Sequence, residues 1–195
     1  MNWKFLFNPF SKFSEKQLFI TGVLYFIINF FTCFFTKTQM DSLFHFTENE
    51  NLSLTSAFLL VTISNVSAII FLFLLALIIN KKTRFIDIAN TVLISQAPNF
   101  LILLCIKITS MNSLAKNLKT NAEAANTLKI NPLELLPLVF CMLILLAIII
   151  YGFVLIYNGF KTATNFKKWQ HIALFVVVLF VFILFHQVYI QNLNL

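Results

Sequence analysis

Five runs of predominantly apolar residues take up most of this 195-residue chain, at about 18–35, 54–79, 89–108, 133–157 and 172–190. Each is close to the roughly 20 residues that an α-helix needs to cross a 30 Å hydrocarbon layer. A soluble domain of this size cannot hide five such runs, because too much of its volume lies at the surface. Only 11% of the residues are charged, against roughly a quarter in soluble domains, and the mean hydropathy is +0.88. The expected fold is all-α: a polytopic membrane protein, a bundle of five transmembrane helices (18–195) behind an interfacial segment (1–17).

The cations set the expected orientation. Lys4, Lys12 and Lys16 precede the first run; Lys81, Lys82 and Arg84 follow the second; Lys161, Lys167 and Lys168 follow the fourth. The other side has Lys37, Lys107, Lys116, Lys119 and Lys129. The positive-inside rule then predicts the N-terminus in the cytoplasm and the C-terminus outside. The net charge of +7 is spread over short loops beside apolar helices, where it meets lipid headgroups. It forms no basic stripe, so no nucleic-acid partner is expected. Cys33, Cys105 and Cys141 lie within the runs, where cysteine acts as a small apolar residue. No small-residue cleavage site follows the first run, which is expected to be retained.

Local signals refine this outline. Trp3, Leu6, Phe7, Phe10 and Phe13 recur at helical spacing, interrupted by Asn8-Pro9, as in a helix lying at the membrane surface. Ser14 and Gln17 form a capping box. Gly22, Asn29, Cys33 and Thr36 share one face, a stripe on which another helix can approach closely. Residues 36–53, with Asp41, Glu48 and Glu50, read as a loop. The second run is polar on two faces, Thr55, Thr62 and Asn65 against Ser56, Ser64 and Ser67, as if wedged between neighbours. The third is the most polar, with Pro98 midway and a line of Gln96, Asn99, Leu103 and Lys107 down one face, so it is expected to avoid lipid. Residues 114–128 read as a weak amphipathic helix, and Asn131-Pro132 as the capped start of the fourth run. A turn is expected at 158–171.

Ionisable groups within spans are functional candidates because burying each is costly. Lys107, Glu134 and His186 fall at similar depth near the outer side. Lys107 is expected to pair with Glu134, with His186 within reach; snorkelling, helix capping and a wet interface are their plain alternatives. With Asn65, Gln96 and Asn99 they form a candidate intramembrane polar cluster. Nucleophile, zinc and phosphate-loop motifs are lacking, so neither an enzyme nor a cofactor is expected.

Three stretches resemble one family. FNPFSKF (7–13) is similar to the N-Pro-x-x-x-F stretch ahead of its first span. RFIDIANTVLISQAPNFL (84–101) is similar to its basic turn and proline-bearing helix, and YNGFKTATNFKKWQHIAL (157–174) to its G-x-K turn. With five spans, the chain resembles the Yip family of Rab-interacting-type membrane proteins, in its bacterial branch. The long cytoplasmic domain and acidic-Tyr-Gly-Pro motif of eukaryotic members are not seen, so direct GTPase binding is not implied. The resemblance implies a non-enzymatic protein of the cell membrane (the inner membrane, if Gram-negative). It would act in membrane organisation, or as partner of another membrane protein or of a second copy. The alternative is a small transporter or channel subunit using the polar faces of the second and third runs.

Overall fold

The computed structural model describes residues 4–108 and 132–192. The expected amphipathic stretch at 114–128 and the Asn131 cap lie outside them. A short helix, α1 (Lys4–Phe7), and a 3-10 turn at Pro9–Ser11 precede α2 (Glu15–Thr36). The capping box forms there: Gln17 N donates to Ser14 Oγ (3.3 Å) and Ser14 N to Gln17 Oε1 (3.0 Å). After a β-hairpin come α3 (Leu54–Ile79), α4 (Phe85–Ser95), α5 (Asn99–Ile108), α6 (Pro132–Thr164) and α7 (Trp169–Gln191). Among the described residues, five helical segments are long and apolar enough to cross a membrane, with α4 and α5 together making the third.

That third segment is the centre of the bundle. It is 72% buried, against 17–44% for the others, and α4 touches α2, α3 and α6. The α2–α4 approach needs Gly22: a Cβ there would stand 2.7 Å from Leu93 Cβ. Leu72 and Ala76 of α3, Ile88 and Val92 of α4, Phe160 of α6 and Phe175 of α7 share the main apolar core.

The structure departs from the sequence reading in several places. The third run is broken rather than continuous. Pro98 lacks an N–H and disfavours helical geometry in the residue before it, so α4 stops at Ser95 and α5 restarts at Asn99. The fourth helix does not turn at Asn158 but runs on to Thr164, ending before Asn165 (φ 51). Thr62 of α3 bonds its own helix at Phe58 O, 2.7 Å, and the buried polar residues of that helix are Ser64 and Asn65.

The largest departure is at residues 36–53. Instead of a simple loop they hold β1 (Thr38–Ser42) and β2 (His45–Glu48), paired antiparallel with a register shift at Asp41. The hairpin plunges between the helices. Met40 O accepts from Ser64 Oγ (3.1 Å), ten residues into α3, or about 15 Å along it at 1.5 Å per residue. At the tip, Leu43 and Phe44 join the main core. Irregular or sheet backbone at membrane depth is tolerated only inside protein, and β1 is enclosed by α2, α3 and α7.

Candidate functional site

Polar groups gather at three places in the described residues. The first is the break in the third span. Gln96 and Asn99 are 1% and 0% exposed, and Asn99 Nδ2 donates to Gln96 Oε1. Asn29, from the polar stripe of α2, reaches across to donate to Gln96 O at 2.9 Å. Gln96 O also accepts from Asn99 N at 3.1 Å, so this carbonyl is shared between the break itself and a neighbouring span.

The second is the hairpin. The bulge turns the Asp41 carboxylate inward, fully buried, as bulges do when they re-aim a side chain. The hairpin itself supplies donors: Gln39 Nε2 to Oδ1 (2.9 Å), and Thr47 Oγ1 to Oδ2 (2.8 Å). His45 Nδ1 lies 3.2 Å from Oδ2. His186 of α7, 7% exposed, places Nδ1 2.8 Å from Asp41 O and Nε2 2.7 Å from Ser67 Oγ. One imidazole therefore ties together α3, α7 and the hairpin.

The third place lies at the opposite end, where α2 and α4 begin. The Arg84 guanidinium meets Glu15 Oε2 at 2.7 Å and both carboxylate oxygens of Asp87, at 2.6 and 3.0 Å. Asn90, 2% exposed, donates through Nδ2 to Glu15 O at 3.2 Å. Its Oδ1 has no hydrogen-bond partner among the described residues. These four residues line a cavity of about 320 Å³. A second cavity of about 280 Å³ sits below it, between α2, α4, α6 and the N-terminal segment. Tyr151 Oη and Asn158 Nδ2 hold that segment by donating to Leu6 O (2.9 Å) and Phe7 O (2.8 Å).

Of the residues singled out from sequence, Gln96 and Asn99 meet each other. Asn65 is buried and donates to Val61 O of its own helix. His186 has both ring nitrogens engaged by Ser67 and the hairpin. Lys107 is exposed in the last turn of α5, and the Glu134 side chain lies outside the described residues. Asp41, Ser67, Glu15, Arg84 and Asn90 were not part of the candidate polar cluster read from the sequence. The basic turn at Arg84 stands where the second family-like stretch puts it, whereas Gly159 and Lys161 of the third lie within α6 rather than in a turn. The Yip1 domain matches residues 3–190. The chain belongs to the Yip1 family. No curated protein and no solved structure matches it. This Yip1-domain protein is thus a multi-pass membrane protein whose polar centres lie at the hairpin, the broken helix and the α2–α4 interface.

Proposed function

We propose that this Yip1-domain protein is a non-enzymatic component of the cell membrane that holds another membrane protein and organises the bilayer around it. The N-terminus would be cytoplasmic, as the distribution of cations favours. The observation that carries this reading is the first half of α6. From Val139 to Ile150, Val139, Phe140, Leu143, Leu146 and Ile150 are each more than half exposed. At 100° per residue these positions, with Met142 and Ile144, span more than half the helix circumference. Their segment has the highest mean hydropathy of the five, 3.1, and is only 17% buried. Among the described residues this half of α6 is little used by its own bundle, and it has a face open to a partner's helix.

The transporter alternative draws less support. Asn29 and Asn65 spend their amide donors on backbone carbonyls, and the hairpin fills the space between α3 and α7. The test is photo-cross-linking in cells from Phe140 and Leu143, with Phe185 on α7 as control. A discrete adduct to one membrane protein, or to a second copy, is expected from α6 alone. Adducts to lipid only, or equal patterns from both helices, would sink the partner reading.

A further inference from the structure

The charged cavity at the start of α2 and α4 and the cavity below it share Phe13 and Leu18 as walls. They form one groove that begins among charges at the membrane interface and continues between the spans. Its deeper part is walled by buried Leu18, Ile94 and Leu155. Leu6, Gln17 and Thr21 are exposed at its lip, so it opens sideways toward the bilayer.

We propose that this groove binds one phospholipid with a primary-amine headgroup, a phosphatidylethanolamine. The chemistry of the charged end selects it. Glu15 and Asp87 supply two carboxylates, and Asn90 supplies a buried amide oxygen without a donor. All three call for a cation that carries N–H groups, and a primary ammonium has three. Arg84 lies between the two carboxylates, and a guanidinium is suited to a phosphate oxygen through its remaining N–H groups. An anionic lipid without an amine would bring its phosphate against two carboxylates and leave the Asn90 oxygen orphaned. A choline headgroup has the charge but no N–H to give. The nearby lysines do not change this, because the cavity wall itself carries Glu15, Asp87 and Arg84. One acyl chain would lie along the apolar part, entering past Thr21. The groove uses none of the exposed residues of α6 at 139–150, so it stands or falls separately from the partner reading.

Native mass spectrometry of the full chain, purified in mild detergent, tests this. The probes are phosphatidylethanolamine, phosphatidylcholine and phosphatidylglycerol with identical acyl chains, and glycerophosphoethanolamine as a chain-free competitor. Hydrogen bonds to a charged donor predict that the ethanolamine lipid binds about tenfold more tightly than the choline lipid. Glu15→Gln with Asp87→Asn should abolish that preference, at two positions exposed enough to tolerate it. Thr21→Phe, which fills the mouth of the groove, should weaken all lipids alike. Should Thr21→Phe not fold, the headgroup comparison alone decides. Equal binding of ethanolamine and choline lipids would overturn the proposal. So would tighter binding of phosphatidylglycerol, or a preference that survives the double variant. Displacement by glycerophosphoethanolamine at lipid-like concentrations would make this a site for a soluble amine and overturn the lipid assignment.

Discussion

Replacing Gly152 with alanine tests whether the hairpin really occupies the middle of the bundle. A Cβ at this position would stand 2.6 Å from Cε1 and 3.1 Å from Cζ of Phe44, where carbon atoms in comfortable contact sit about 3.5–4.0 Å apart. The ring would have to retreat by about 1 Å. It has little room, being 9% exposed and packed against Phe153 at a centroid distance of 4.9 Å. Overpacking of this kind costs about 1–3 kcal/mol. Against it, alanine in place of glycine within a helix contributes about 1 kcal/mol. Gly152→Ala should therefore destabilise by up to about 2 kcal/mol. Phe44→Ala removes the colliding Cε1 and Cζ and also Cδ1, at 3.2 Å, so in that background the same change should stabilise by about 1 kcal/mol. The sign of the alanine effect reverses, with a coupling of about 1–3 kcal/mol. Titrating the purified protein from mild detergent into dodecyl sulfate, with helicity as the signal, reads all four variants. An alanine effect of the same sign and size in both backgrounds would mean that Phe44 does not sit on Gly152, and the re-entrant hairpin would go with it.

Further expectations follow from the same packing. Single cysteines at Glu50 and Lys82, in a background without native cysteines, should differ: an impermeant thiol reagent labels Glu50→Cys from outside and not Lys82→Cys. Ser42→Cys, fully buried at the hairpin tip, should stay unlabelled until the protein is denatured; labelling of Lys82→Cys alone would invert the orientation. Asn29→Leu removes the donor to Gln96 O, but that carbonyl also accepts from Asn99 N at 3.1 Å. The loss should be close to the average of about 0.6 kcal/mol for such bonds in membranes, and unfolding that shows several times this value would refute the assignment.

The spans were legible because a bilayer imposes one length on every helix that crosses it. The start of α2 was legible too, since Ser14 and Gln17 are three residues apart and their bonds are local. The hairpin was not. Thr38, Gln39, Asp41, Thr47 and Glu48 have the polarity of a solvated loop, and the alternation that would make strands of them is short. What buries Asp41 is partly near in sequence, at Gln39, His45 and Thr47, but what admits the hairpin into the bundle is Gly152, over a hundred residues away. Pro98 announced a disturbance in the third span. Whether it bends or breaks the helix depends on what meets the backbone there: Ala97 N takes up Ile94 O, the carbonyl that Pro98 frees, and Asn29 of another span adds a donor to Gln96 O. The interfacial site was hidden for the same reason: Arg84 and Glu15 become neighbours only when α2 packs on α4 through Gly22.

These contacts make the two ends of the bundle physically unlike. At one end a two-stranded hairpin, with no further strand on either edge among the described residues, must have its backbone met by side chains. Ser64 takes Met40 O and His186 takes Asp41 O, so α3 and α7 cannot separate without leaving buried carbonyls unpaired, at about 1–3 kcal/mol each. That end is locked by polar groups in an apolar setting. At the other end the groove wall is a short segment whose backbone carbonyls are held to α6 by Tyr151 and Asn158. Those two bonds lie at exposed positions, where water or headgroups can replace them at little cost. Opening the groove therefore requires much less than opening the hairpin end, and a lipid could exchange there while the five spans stay packed.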